Sequence, residues 1–213
     1  MGMGSKRLVL VDCRAAGISG DMFLGALLDL GLDQEVLSEL AKAILKEAPW
    51  CRKLVIRAEE VERKGFRAKR VLVEAEEERA SEEGLRKALI SASEELGLSR
   101  EARELALRSL ITLLEAEAAV HGPGHHGVHE LASVDTLVDI LGVAKCLEEL
   151  GLLRDCVFYS TPIAVGSGLV RFSHGDLPVP APATLEILRS KGFPFLGGLL
   201  KGSWPPPPGS PSW

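Results

Sequence analysis

Hydrophobic positions along the chain fall into short runs and helical repeats. Residues 8–11 form an apolar run of strand length, and apolar residues over 22–30 predict a helix closed by Gly31. The pattern over 33–48 predicts a second, amphipathic helix, with Asp33 as its cap and Pro49 as its end. The chain therefore opens with one strand followed by two helices.

The middle of the chain predicts a hairpin and two further helices. Residues 54–57 and 71–74 have strand character and are joined around Gly65, with charged residues between them. Residues 81–120 are strongly helical with a break near Gly97, and Ser81 and Ser99 stand where helix caps are expected.

The last part of the pattern begins with a helix and continues as extended chain. Val134, Leu137, Val138 and Leu141 recur at helical spacing, Ser133 can cap that helix, and it ends near Gly151. Residues 156–165 predict a strand, 166–168 a tight turn, and 185–189 a helix after alternating prolines. Together these elements predict an α/β or α+β fold, helix-rich with a small mixed β-sheet.

Composition narrows the function classes. A hydrophobic content of 46 % suits a packed core, and a net charge of −5 with 5 % aromatic residues gives no footprint for nucleic acid. No apolar stretch approaches the roughly 20 residues that span a membrane. The four cysteines are scattered and no secretion signal precedes them, so we expect reduced thiols in a cytoplasmic protein.

Four of the five histidines lie within residues 121–129, at His121, His125, His126 and His129. Glycines and a proline separate them, and the carboxylates Glu130, Asp135 and Asp139 follow. Imidazole suits nickel, zinc and copper, and carboxylates add ligands that magnesium or manganese also accept. The cluster predicts a divalent-metal site. Solvated loop histidines and an exposed acidic helix face are the alternatives.

A second candidate site lies between the first strand and the first helix. The loop ends in Ser19 and Gly20 at a helix start, where unpaired N–H groups can bind an anion, although neither the dinucleotide nor the P-loop pattern is complete. Asp12 and Asp21 either bracket a phosphate or metal site or serve as turn former and helix-start acid. His174 is either a ligand or proton carrier, or a loop histidine bonded to backbone.

The end of the chain differs in character from the rest. Residues 203–213 are rich in proline, whereas a shifted reading frame permits a capped, apolar helix there. We therefore expect one domain over 1–202 and a tail over 203–213 that has left the ancestral frame. An open frame in the downstream DNA would support this interpretation.

Three motifs occur in order along the chain. The first is Asp-Cys at 12–13 with Gly-Ile-Ser-Gly-Asp-Met at 17–22, and the second is His-Glu at 129–130 with Val-Asp at 134–135 and 138–139. The third is Gly-Ser-Gly at 166–168, His-Gly at 174–175 and Leu-Pro-Val-Pro-Ala-Pro-Ala-Thr at 177–184. From residue 8 to about 202 the chain resembles the LarC-type nickel-insertion proteins (cyclometallases) that mature the lactate racemase cofactor.

The resemblance implies the N-terminal half of such a protein. The family inserts nickel into pyridinium-3,5-bisthiocarboxylic acid mononucleotide, forms a carbon–nickel bond and depends on CTP, and some members are completed by frameshifting. CTP with magnesium or manganese would bind the C-terminal half, which is absent here. The implied partners are that half or the frameshifted full-length form, a lactate racemase-type apoenzyme and, in a homo-oligomer, further copies of the chain.

Roles for individual residues follow as expectations from the resemblance. The four clustered histidines would hold nickel, and Asp12, Asp135 and Asp139 are candidates for binding a divalent ion. The mononucleotide would contact the residues of the glycine loops and their neighbours, namely Ser19, Gly20, Asp21, Gly166, Ser167 and His174. Glu130 or Asp135 would accept the ring proton. One departure is the loop at 14–16, which is one residue longer than the family pattern. The alternative function is a non-catalytic module that binds nickel and delivers it to a partner.

Overall fold

Among the residues that the structure describes, more lie in helices than in strands, as the hydrophobic pattern predicts. A computed structural model describes residues 6–63, 65–121, 132–172 and 175–197. Within those ranges there are six helices and eight strands, so the prediction of a helix-rich α/β fold is confirmed. The strands form four two-stranded sheets, two parallel and two antiparallel.

The elements follow one another closely along the sequence. The helices are α1 (Gly20–Asp29), α2 (Glu35–Glu47), α3 (Glu82–Glu95), α4 (Arg100–His121), α5 (Val134–Glu149) and α6 (Pro182–Lys191). The strands are β1 (Arg7–Val11), β2 (Cys51–Arg63), β3 (Phe66–Glu77), β4 (Cys156–Ser160), β5 (Ile163–Ala164), β6 (Leu169–Phe172), β7 (Gly175–Pro178) and β8 (Phe195–Leu196). Helix α6 begins three residues before the predicted start because proline suits the first turn of a helix.

The described elements divide between two compact units. The helical unit contains α1, α2, α3, the part of α4 up to Leu114, α5 and the β2–β3 hairpin. The strand unit contains β1, the end of α4 from Glu115, and every described element from β4 onward. The predicted boundary at residue 203 lies outside the described residues and stays a prediction.

The core of the helical unit is aliphatic. Helix α1 packs on β3 and on α5, and α2 packs on α3, α5 and β2. The largest side chains with almost no exposed surface all belong to this unit: Leu24, Leu27, Leu28, Leu37, Leu40, Ile44, Leu85, Leu89, Leu110, Val134, Leu137 and Leu141. Many apolar positions of the predicted helices thus form the core, whereas Met22 and Leu30 of the first predicted helix are exposed.

Two glycines allow the helices of this unit to pack closely. A Cβ on Gly25 of α1 would lie 2.5 Å from the backbone oxygen of Lys69 in β3. A Cβ on Gly142 of α5 would lie 3.0 Å from Leu24 Cδ2 and 3.1 Å from Leu40 Cδ2. The first contact involves backbone, whereas the second involves only the ends of flexible side chains.

We expect Gly25→Ala to lower the free energy of unfolding by about 2 kcal/mol, because the added methyl group overlaps a strand carbonyl that cannot rotate away. Gly142→Ala should stay within about 1 kcal/mol of the parent, because leucine side chains can shift and alanine favours the helix. Urea unfolding followed by circular dichroism measures both. Equal losses in the two variants would contradict this account of α1 packing.

Helix caps test the local predictions. The predicted caps of α3 and α4 are confirmed, since Ser81 Oγ accepts from the Gly84 amide at 3.0 Å and Ser99 Oγ accepts from the Ala102 amide at 3.3 Å. The predicted cap of α5 is wrong in one respect. Ser133 does stand just before the helix, but its side chain makes no capping hydrogen bond to any described residue.

The strand unit is built from short sheets. β1 and β4 are parallel, with Arg7 opposite Cys156 and Val11 opposite Ser160. β5 and β8 are also parallel, and β6 and β7 are antiparallel. The Ala164 amide donates to the Cys13 carbonyl at 3.0 Å, which ties the end of β5 to the residues that follow β1.

The cysteines and the lengths of the helices can be compared with the expectations drawn from composition. Cys13, Cys51 and Cys146 are buried, Cys156 is half-buried, and all four are free thiols. No helix among the described residues is long and apolar enough to cross a membrane.

Candidate functional site

Three aspartates of the helical unit form an acidic cluster, hereafter the Asp21–Asp135–Asp139 cluster. Asp21 is the second residue of α1, and Asp135 and Asp139 lie one turn apart on α5, beside its buried stripe. Because α1 packs on α5, the charge of Asp21 acts on both carboxyls of α5. The sequence pattern showed the pair on α5 but not its neighbour on α1.

Burial and neighbouring charges raise the pKa values of two carboxyl groups in the cluster, those of Asp135 and Asp139. Burial, then the charges of Asp21 and Asp135, raise the pKa of Asp139 to about 7. Burial, then the charge of Asp21, also raise the pKa of Asp135 above its usual range. A carboxyl group that gains and loses a proton near neutral pH is suited to general acid–base chemistry.

Gly20 brings α1 against Asp139. A Cβ built on this glycine would lie 2.2 Å from both Cγ and Oδ2 of Asp139, so no other residue fits there unless the aspartate moves. The sequence predicts that this glycine belongs to an anion-binding helix start. In the structure the Asp139 carboxyl group occupies the position beside Gly20.

Metal binding is a second role predicted for this cluster, through Asp139. Among the described residues, no three His, Cys, Asp or Glu side chains are grouped closely enough to hold a metal ion. The pKa of about 7 at Asp139 supports proton transfer as a chemistry of this cluster. The predicted metal role of Asp139 stays a prediction.

Glu77 is a residue of this region that the sequence did not indicate. It is the last residue of β3, and its Oε2 accepts from the Val134 amide at 2.8 Å, at the first residue of α5. Desolvation raises the pKa of Glu77, the Val134 amide opposes that rise, and Asp135 adds a smaller upward contribution. No local motif signals a contact between residues 57 positions apart.

Asp12, predicted as a metal ligand, lies in the strand unit just after β1. Its carboxylate accepts from Arg14 Nε at 3.0 Å, Arg14 Nη2 at 2.8 Å and Thr161 Oγ1 at 3.1 Å. These bonds, those of Arg14 first, hold the pKa of Asp12 well below its usual range. The carboxylate would have to release Arg14 before it could bind a metal ion.

The structure describes four further predicted residues, Ser19, His121, Gly166 and Ser167. Ser19 directly precedes α1, while Gly166 is buried and Ser167 half-buried between β5 and β6. His121 is the last residue of α4. The other predicted residues lie outside the described part of the chain: His125, His126, His129, Glu130 and His174.

A groove of about 700 Å³ lies within the strand unit, between the end of α4, α6 and the residues that lead into β8. Its walls are mainly apolar and include Val120, Leu185 and Phe193, with Glu186 and Arg189 paired at 2.6 Å. None of the predicted site residues within the described ranges lines it. The groove and the acidic cluster are therefore separate features.

Comparison with known proteins decides the family. The profile described as "Nickel insertion protein" matches residues 9–203. The chain belongs to the nickel insertion protein family. None of the solved protein structures matches it significantly.

Relatives within the nickel insertion family are longer than this chain. A protein of Geotalea uraniireducens, provisionally named a nickel insertion protein, is 41 % identical over 207 residues, which is 96 % of this chain and 50 % of the relative. One of Akkermansia muciniphila is 40 % identical over 190 residues, 84 % of this chain and 44 % of the relative. It is named a pyridinium-3,5-bisthiocarboxylic acid mononucleotide nickel insertion protein. The chain spans about half the length of these relatives.

Proposed function

We propose that this chain is the part of a nickel insertion protein in which pyridinium-3,5-bisthiocarboxylic acid mononucleotide receives nickel. Family membership over residues 9–203 carries the proposal. The substrate is the one named for the Akkermansia relative. The Asp21–Asp135–Asp139 cluster supplies a chemical centre within the described residues.

The proposed reaction forms a carbon–nickel bond at the pyridinium ring. The ring carbon loses a C–H bond and gains a bond to Ni²⁺, and the released proton needs an acceptor. Asp139 fits this role because its pKa of about 7 lets the carboxylate take up a proton near neutral pH. Asp135, which the sequence suggested for this role, would then keep the proton affinity of Asp139 high.

The phosphate of the mononucleotide is proposed to bind near Ser19 and Gly20. A phosphate at this helix start would meet the Asp139 carboxyl group that already lies against Gly20. A phosphate and an ionised Asp139 carboxylate in contact would repel each other. Phosphate binding therefore requires either a protonated Asp139 or a magnesium or manganese ion between the two groups. CTP, the rest of a full-length form and a lactate racemase-type apoenzyme complete the proposed set of partners.

Nickel is proposed as the cargo of the four histidines at 121–129. Neutral imidazoles bind Ni²⁺ and release it when they are protonated, so a histidine cluster can load the metal and pass it on. Nickel supply by the histidines and proton uptake by Asp139 would provide the two parts of the reaction. A module that only delivers nickel would need the histidines but not the acidic cluster.

We expect the chain to bind nickel in a calorimetric titration at pH 7.5 and to lose that binding when His121, His125, His126 and His129 are all replaced by alanine. Binding by the parent should also weaken below about pH 6, as the imidazoles become protonated. His174→Ala is the matched control, because it removes the one histidine outside the cluster.

The results separate three roles. Equal weak binding by the parent and the four-alanine variant would remove the histidines from the proposed site. Tight binding that depends on the histidines, in a protein whose insertion activity survives Asp139→Asn, would favour delivery without catalysis at the cluster. Loss of nickel binding in His174→Ala alone would indicate that His174, and not the histidine cluster, binds the metal.

A further inference from the structure

The start of α5 is held by a residue from a distant strand. Val134, the first residue of this helix, has no exposed surface, so its amide cannot turn to solvent for a hydrogen bond. Its partner is Glu77 Oε2 at 2.8 Å, at the end of β3. The adjacent Ser133 is an uncharged residue of the usual capping type, but its side chain makes no capping bond to the described residues.

The hairpin that carries Glu77 also holds α1. Lys69 Nζ in β3 donates to the Leu28 carbonyl near the end of α1 at 3.2 Å, and Gly25 of α1 lies against the Lys69 backbone. One strand thus fixes both the helix of Asp21 and the helix of Asp135 and Asp139. The spacing of the cluster therefore depends on where the end of β3 holds the first turn of α5.

A carboxylate at a helix N-terminus is favourable toward the helix dipole, but this one also lies near a second acidic group. Asp135 follows Val134 directly, and its charge acts on Glu77. A neutral cap would satisfy the same amide without placing a second negative group beside Asp135. The use of Glu77 instead of a neutral cap is explained if this residue serves to fix the position of α5 relative to α1.

We infer that Glu77 is a positioning residue, which holds the first turn of α5 through the Val134 amide and so keeps Asp135 and Asp139 packed against Asp21 and Gly20. This inference rests on the proposed function only in giving the cluster a role in nickel insertion. The hydrogen bond and the packing belong to the helical unit itself. The same inference therefore has a test on the 213-residue chain without substrate.

The test compares Glu77→Ala, Glu77→Gln and Ser81→Ala by carbon-13 NMR titration of the aspartate carboxyls in metal-free buffer. Glu77→Ala removes the acceptor, and Glu77→Gln keeps an oxygen that can accept from Val134 but removes the charge. Ser81→Ala removes the capping bond of α3, in the same unit and away from the cluster. It is the control for the loss of a helix cap as such.

We expect Glu77→Ala to lower the midpoint of Asp139 by about 1 pH unit, because a loosened first turn admits water to the cluster. Glu77→Gln should keep most of the parental value. Ser81→Ala should lower the melting temperature by a few degrees, as Glu77→Ala does, without moving the Asp139 midpoint. Together these results would establish positioning rather than simple capping.

Two other results would overturn the inference. An unchanged titration midpoint of Asp139 in Glu77→Ala would show that Glu77 only caps the helix. Glu77→Gln with the full shift of Glu77→Ala would show that charge, not the hydrogen bond, is what acts on the cluster. The proposed function fails separately if Asp139→Asn inserts nickel at the full parental rate. The Glu77 and Ser81 variants could still give the titration results expected for a positioning residue.

Discussion

Replacing Asp139 by asparagine is expected to slow nickel insertion by at least about 100-fold, because the amide cannot accept the ring proton. The replacement keeps the size of the side chain, so the contact with Gly20 is retained. The assay supplies Ni²⁺, CTP, Mg²⁺ and the mononucleotide. It is run on the chain alone and on the chain supplemented with the half of the Geotalea relative that this chain does not cover.

Matched variants give this result its meaning. Asp135→Asn should cause a smaller loss, because it lowers the proton affinity of Asp139 without removing the acceptor. Asp33→Asn is the control, because Asp33 lies outside the cluster and its Oδ1, which accepts from the Glu35 amide at 2.8 Å, is retained as an amide oxygen. Full activity in Asp139→Asn together with loss of activity in Glu130→Gln would indicate that Glu130, and not Asp139, accepts the proton.

The same substitution should make the protein more stable above neutral pH. Asp139 has a pKa of about 7 when folded, against an ordinary aspartate value near 3.9. Between these values the folded chain binds the proton more tightly than the unfolded chain, so stability falls as pH rises from about 4 to about 7. Asparagine removes this loss, and we expect it to add about 3 kcal/mol at pH 8 and almost nothing at pH 4.

Denaturant unfolding of parent and variant at pH 4, 6 and 8 measures the difference. The increase in the free energy of unfolding should become larger from pH 4 to pH 8. Asp135→Asn should also be more stable than the parent at high pH, but by a smaller amount. A constant difference at all three values would mean that the substitution acts through packing and not through the charge. An inactive but more stable variant would show that the cluster is maintained for function at a cost in stability.

Most of the helical unit follows from local sequence. The helices α1, α3 and α4 and the turn near Gly65 depend on hydrophobic periodicity, capping residues and glycine, which act within a few positions. Asp135 and Asp139 were recognisable because four residues on a helix place two side chains one turn apart. These features required no knowledge of tertiary structure.

The missing parts of the site depend on contacts between distant residues. Asp21 and Asp139 act on each other only because α1 packs on α5, and no periodicity joins residues of two separate helices. Gly20 had an adequate local explanation as an anion-binding position, and its contact with Asp139 arises from the same packing. Glu77 replaces a local cap that the sequence did offer, at Ser133.

The burial of the cysteines has a consequence for a protein that handles nickel. A deprotonated thiol is a strong metal ligand, whereas a protonated one is not. Burial raises the pKa of Cys146 to about 12 and raises that of Cys51, while Cys13 is also enclosed. The thiols of Cys51 and Cys146 are thereby weak competitors for nickel, so metal carried by the proposed histidine cluster would not be trapped at these two positions.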